Sequence, residues 1–172
     1  GPGFSLDLDA LDQAISEKTR AVLINSPNNP TGTVYGSLEL EGLARLLRDH
    51  SRKLGRPVYL ISDEPYRKIV YDRLEVPSVL DAYSESFVVT SFSKDLSLPG
   101  ERIGYAAVNP DASDRAMLAA GMSTTSAIMV AGSAIFSSGW SSGRRIRARA
   151  TGPTEKSGLP GKAPVLGRSP RP

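Results

Sequence analysis

Three short apolar runs of β-forming character set the terms for this fold: RAVLIN at 20–25, PVYLIS at 57–62 and SFVVTSF at 86–92. Each has the length of a strand, and each gives way to polar residues at its carboxyl end. Between the first two lies SLELEGLARLLRDHSRKLG at 37–55, where Leu40, Leu43, Leu47 and Leu54 fall near helical spacing. Ser37 is placed to cap that helix and Gly55 to stop it. LDALDQAISEKT, from residue 8 to 19, reads as a shorter amphipathic helix. The last two strand-like runs stand roughly thirty residues apart, the spacing of a βαβ unit. Strands apolar along their whole length are buried on both faces, which requires helices above and below the sheet and right-handed crossovers. The expected fold class is therefore α/β, a layered parallel or mostly parallel sheet with flanking helices.

Composition sets the limits of that domain. At 172 residues and 40% apolar content the chain is long enough for one domain with a sizeable core. Its net charge of +3 is unevenly distributed. From Trp140 to Pro172 eight Lys and Arg face the single acid Glu155, so this end carries about +7 and the body about −4. A nucleic-acid partner would have to be argued from the tail alone, and none is expected. The Gly, Pro, Ser and Arg content after about residue 129, without periodicity, predicts disorder, as a frameshifted end would give. We divide the chain into a domain at 1–136 and a basic, disordered, low-complexity tail at 137–172. Ala116 to Gly143 contains no Asp, Glu, Lys or Arg, but its Ser, Thr and Gly content suits a buried or interface helix better than a membrane span. No membrane partner is expected. The absence of cysteine excludes disulfides and thiolate zinc sites and fits a cytoplasmic protein. The opening GPGFSLDLDALDQ lacks the regions of a signal peptide.

In open α/β sheets ligands bind outside the carboxyl ends of the strands. The residues there are Asn28 and Asn29, then Asp63 and Tyr66, then Ser91, Ser93 and Lys94. A carboxylate can hold a protonated ring nitrogen, an amide and a phenol can hold a phenolate oxygen, and an amine can condense with an aldehyde. Singly, each residue admits a plainer role. Asn29 before Pro30 suits a turn, Asp63 suits a helix cap, and Tyr66 and Tyr71 suit half-buried packing. Lys94 alone reads as a solvated charge, and Arg102 as a surface partner of Glu101 or Asp95. His50 reads as a helix-end residue rather than a base.

Taken together, SPNNPTG, ISDEPYRKIVYD and SFSKDLSLPGERIGY resemble the signature blocks of the class I/II aminotransferases, fold-type I enzymes that use pyridoxal 5'-phosphate. The resemblance covers roughly Phe4 to Met129, the central part of the family's large domain. It implies that Lys94 condenses with the cofactor aldehyde and later carries the proton between the substrate Cα and the cofactor. Asp63 would pair with the pyridinium nitrogen and keep the ring an electron sink. Asn29 and Tyr66 would hydrogen-bond the ring's 3'-oxygen. Ser91, Ser93 and Arg102 match positions near the phosphate, with Arg102 able to grip it as a bidentate fork and Ser91 donating a hydroxyl. The implied partners are an amino acid and a 2-oxo acid, with a homodimer as the full-length assembly, in an activity of amino-acid metabolism. The family's glycine-rich phosphate loop, its ring-stacking aromatic and its small domain have no counterpart in this sequence, so the chain reads as an incomplete fragment. Two alternatives stay open: a lyase or decarboxylase of the same fold and cofactor, and a non-enzymatic remnant.

Overall fold

The computed structural model describes residues 4–101, 103–128 and 134–137. Arg102 and the tail at 138–172 lie outside the described residues. The chain opens with α1 (Leu8–Ala14), whose first turn is capped by the Asp7 carboxylate accepting from the Ala10 N–H at 2.9 Å. This helix stops well short of residue 19. Ile15 turns extended, and Ser16 and Thr19 close a tight turn, the Thr19 N–H donating to the Ser16 carbonyl and the Ser16 N–H to the Thr19 hydroxyl. After β1 (Ala21–Asn25) comes α2 (Ser37–Leu54). Its cap residue is Gly36, and Ser37 is already the first helical residue. Glu39 reaches back to accept from the Gly36 N–H at 2.9 Å and the Leu6 N–H at 3.2 Å, fastening the chain's start to the helix. Gly55 ends α2 in the left-handed region, at φ 65°, as a glycine stop should.

Then follow β2 (Tyr59–Asp63), the single turn α3 (Val79–Ala82), β3 (Ser86–Ser91), the single turn α4 (Phe92–Asp95), β4 (Gly104–Val108), α5 (Arg115–Ile128) and β5 (Ala134–Ser137). The sheet runs in sequence order from β1 to β5. β1, β2 and β3 are parallel, with Asn25 opposite Asp63 and Asp63 opposite Val89. β4 is antiparallel to β3, placing Gly104 beside Ser91, and β5 runs parallel to β4. Neither β4 nor β5 is evident from apolar patterning, because β4 is built largely of Gly and Ala and β5 lies inside the uncharged stretch.

Alternation along the strands divides the core between two faces. Ile24, Leu60 and Val88 meet Leu40, Leu43, Ala44 and Leu47 of α2 and Val79 of α3. On the other face Phe87 and Val108 pack with Tyr59, Ile61, Val89 and, from α5, Leu118 and Met122. The uncharged stretch thus contributes a helix covering one sheet face, while its Met117 remains exposed. No helix among the described residues is long and apolar enough to cross a membrane. Tyr83, 2% exposed, ties the layers together: its hydroxyl donates to the Val58 carbonyl at 2.9 Å and its ring lies beneath the Arg48 guanidinium.

One residue of β4 has no tolerance for a side chain. A Cβ on Gly104 would stand 2.2 Å from the Thr90 carbonyl oxygen, a backbone atom that can move only if β3 moves. We expect Gly104→Ala to destabilise the chain by about 3 kcal/mol or more, at or beyond the upper range for overpacking. Denaturant unfolding measures this, and a midpoint equal to that of the parent would contradict the close approach.

Candidate active site

At the carboxyl end of β1 the chain turns sharply through SPNNPTG. The Ser26–Pro27 and Asn29–Pro30 peptide bonds are cis. The Gly32 N–H donates to the Asn28 carbonyl at 2.8 Å, and Gly32 sits at φ 72°, where a side chain would be strained. The Asn28 amide oxygen accepts from the Thr31 hydroxyl at 2.8 Å. Asn29 is thereby held at the rim, exposed, with its Nδ2 donating to the Tyr66 hydroxyl at 2.9 Å.

β2 ends on Asp63, half-buried at the same edge. Desolvation raises its carboxyl pKa above the ordinary carboxylate range. Among the described residues no Lys, Arg or His forms an ion pair with it. The neighbouring Glu64 turns the other way. Its carboxylate, 4% exposed, accepts from Ser62 Oγ at 2.8 Å and pairs with Arg67 at 3.0 Å. Arg67 also donates to the Val76 carbonyl at 2.7 Å and the Pro77 carbonyl at 3.3 Å. A buried carboxylate satisfied in this way staples the segment after β2, and Tyr66 is carried on that segment.

β3 ends on Ser91, which caps α4. Its Oγ accepts from the Ser93 N–H at 3.1 Å and donates to Ser93 Oγ at 2.7 Å. The cap therefore engages the Ser91 hydroxyl proton, leaving the Ser93 proton available to a ligand. Lys94 is exposed and makes no ion pair among the described residues. A single helical turn has no stability of its own. α4 is held by its cap, by the Phe92 ring against Tyr105, by the Phe92 N–H to the Ile103 carbonyl, and by Asp95, whose carboxylate meets Lys68 at 3.0 Å. Lys68 belongs to the same segment as Tyr66, so the phenol and the amine are mounted on connected pieces of backbone.

The sheet register thus brings Asn29, Asp63, Tyr66, Ser91, Ser93 and Lys94 to one edge, and the Asn29–Tyr66 pair is in direct contact. A cleft of about 400 Å³ opens beside that pair between the 27–34 loop and residues 66–74, lined also by Ile69, Tyr71 and Leu74. Two participants escape a reading of the sequence. Asn25 stands there only as the end of an apolar run, and its strand position opposite Asp63 is the available signal. The Glu64–Arg67 pair lies inside a signature block, yet nothing in spacing alone separates a buried pair from two surface charges.

The sequence model for class I and II aminotransferases matches residues 1–145, reaching beyond residue 129, where the resemblance in the signature blocks stops. The probable aspartate aminotransferase of Methanocaldococcus jannaschii is 35% identical over 108 residues, 63% of this chain and 27% of that protein. The aspartate aminotransferase of Thermotoga maritima is 45% identical over 106 residues, 59% of this chain and 26% of that protein. The chain therefore spans about a quarter of the length of the curated relatives it matches. Among solved structures, an aminotransferase from Eubacterium rectale superposes with a TM-score of 0.71 at 47% identity, covering 74% of this chain and 32% of that one. The Thermus thermophilus aspartate aminotransferase with maleate superposes with a TM-score of 0.57 at 35% identity, covering 71% and 30%. Three strand ends bearing an amide, a carboxylate and an amine, the match over residues 1–145 and these relatives lead to one conclusion: the chain belongs to the class I and II aminotransferase family.

Proposed function

We propose that this chain carries the cofactor-gripping centre of a pyridoxal phosphate-dependent aminotransferase, which moves an amino group between an amino acid and a 2-oxo acid. The observation that carries the proposal is Asp63, a partly desolvated carboxylate that pairs with no cation among the described residues, on the same sheet edge as a phenol–amide pair and an amine outside any ion pair among those residues. That donor set fits the cofactor, whose family is pyridoxal phosphate-dependent. Bound there, pyridoxal phosphate supplies an aldehyde and an electron-withdrawing ring. Asp63 would hold a proton at the ring nitrogen, a charge-assisted hydrogen bond of about 1.5–3 kcal/mol. Asn29 and Tyr66 would orient the ring through its phenolic oxygen. Lys94 would supply the nucleophilic amine and, once released, move a proton at the substrate Cα. Ser93 would donate to a phosphate oxygen beside Ser91, with Arg102 as the charged member of that group.

The relatives are named for aspartate and prephenate, so aspartate with a 2-oxo acid is the first substrate pair to examine. Leu23, 65% exposed on β1, and Tyr71, 79% exposed beside the cleft, leave apolar surface uncovered. This supports a homodimer as the assembly of the complete enzyme. We place the domain at 1–136 and the tail at 137–172, and the whole in the cytoplasm. Pyridoxal phosphate added to the chain should give a new visible absorbance band, and borohydride should fix the cofactor on a lysine. In an enzyme completed around these blocks, aspartate and 2-oxoglutarate should yield glutamate. Release of ammonia or carbon dioxide instead would favour a lyase or decarboxylase, and absence of both band and label would favour an inert remnant.

A further inference from the structure

Asn25 closes β1, and the orientation of its side-chain amide is set by donors that cannot be reversed. The main-chain N–H of Asn29 donates to Asn25 Oδ1 at 3.0 Å, and Asn28 Nδ2 reaches the same oxygen at 3.3 Å. A main-chain N–H cannot accept, so Oδ1 must face the loop and the amide NH2 must face β2. There Nδ2 donates to the Asp63 carbonyl at 2.9 Å and approaches Asp63 Oδ2 at 3.4 Å. Asparagine is disfavoured in strands, and an aliphatic residue would pair with β2 equally well through its backbone. What the amide adds is a bridge between two parts of the site that belong to different strands.

We propose that Asn25 is a positioning residue coupling the two halves of the cofactor grip: one amide orients the Asp63 carboxylate while it anchors the loop from which Asn29 reaches Tyr66. The proposal deepens the pyridoxal phosphate reading and rests on it. A donor facing a carboxylate favours its ionised form, and Asn25 Nδ2 would supply that donor to a group that burial pushes the other way, keeping it ready for a cationic ring nitrogen. Among the described residues the other ionisable groups carried at this edge are Tyr66 and Lys94, with the Lys68–Asp95 ion pair joining their two segments. Glu64 faces away toward Ser62 and Arg67.

Asn25→Asp separates the two functions. It is isosteric and keeps an acceptor for the Asn29 N–H, but it sets a second carboxylate against Asp63 in place of a donor. Asn25→Leu removes both functions. In the cofactor-free chain, carboxyl carbon NMR should show the two facing carboxylates of the first variant, the introduced one and Asp63, titrating as a pair. Their upper midpoint should lie about one pH unit or more above that of Asp63 in the parent. The Asn29 amide resonance should stay in place there and move in Asn25→Leu, with far-UV circular dichroism reporting the fold of each. Lys94 labelling with pyridoxal phosphate and borohydride should need about tenfold more cofactor in Asn25→Asp, the loss of one such interaction of about 1.4 kcal/mol. An unchanged upper midpoint in folded Asn25→Asp, or an unmoved Asn29 amide in folded Asn25→Leu, would overturn the coupling. Absence of Lys94 labelling in the parent chain counts against the cofactor reading alone, and the titration then still decides whether Asn25 couples Asp63 to the loop.

Discussion

Lys94→Ala is expected to abolish covalent capture of pyridoxal phosphate by this chain, and in a complete enzyme carrying these blocks to lower turnover by on the order of 10⁴-fold or more. Two losses combine. Lys94 is the amine at this edge that stands outside any ion pair among the described residues, so its removal should eliminate the covalent attachment. In the proposed reading it would also serve as the base that moves the substrate's Cα proton, a role worth roughly 10²–10⁴-fold by itself. The geometry favours this lysine over its neighbours: Lys68 is committed to Asp95 at 3.0 Å, whereas Lys94 has no ion-pair partner among the described residues. Peptide mapping after borohydride treatment identifies the labelled residue. Label on Lys68 or another lysine, or undiminished label in Lys94→Ala, would remove Lys94 from the site. Lys94→Arg sharpens the experiment, since it keeps the positive charge without an amine able to condense, and it should behave like the alanine variant.

For Asp63→Asn the expected effects on rate and stability have opposite signs. In a complete enzyme the amide cannot hold a proton on the ring nitrogen through a full charge, and a preorganised charge in a partly desolvated site lowers the barrier by several kcal/mol. The half-reaction should therefore slow on the order of a hundredfold or more, with cofactor affinity changing less. In the cofactor-free chain the same substitution should be neutral or stabilising at pH 7. Burial raises the Asp63 pKa in the folded state above its unfolded value, so the folded chain binds that proton more tightly than the unfolded one. The resulting contribution to stability is full below the ordinary carboxylate range and is lost as pH rises through the raised folded value. At neutral pH the parent bears the desolvation of a charged carboxylate that the neutral amide of the variant avoids, and below about pH 3 the difference between the two should vanish. Stopped-flow half-reaction rates and melting curves across pH decide the matter. If Asp63 served only to cap a turn, Asn would serve as well, and both rate and melting temperature would stay within error of the parent.

Much of the fold was legible because it depends on residues close together in the chain. The apolar runs became β1, β2 and β3, and the leucine spacing after Gly36 became α2, since helical and strand periodicities are local properties that hydrophobic burial then selects. Boundaries shifted wherever a side chain competed for the backbone. Ser16 and Thr19 cut α1 short with their own turn, and Ser91 ended β3 one residue early by capping α4. β4 carries no such local signal, because its fit to β3 depends on the absence of a side chain at Gly104, and smallness leaves no hydrophobic pattern.

By itself the sequence determined the chemistry available at the site: an amide, a carboxylate, a phenol, two hydroxyls and an amine, each placed at or after the end of a strand by its position in the chain. Tertiary structure alone decided which of them meet. Asn29 joins Tyr66 across 37 positions, and Asn25 joins Asp63 across 38. Both contacts exist because parallel pairing sets Asn25 opposite Asp63, a register that no local pattern of residues specifies. The same pairing leaves Asp63 partly desolvated and without a cation among the described residues, while Glu64, one residue on, finds Arg67. Successive side chains of an extended backbone point to opposite sides, so two adjacent acids of the same chemistry acquired different environments, one able to receive a ligand's charge and the other spent on holding the segment that carries Tyr66.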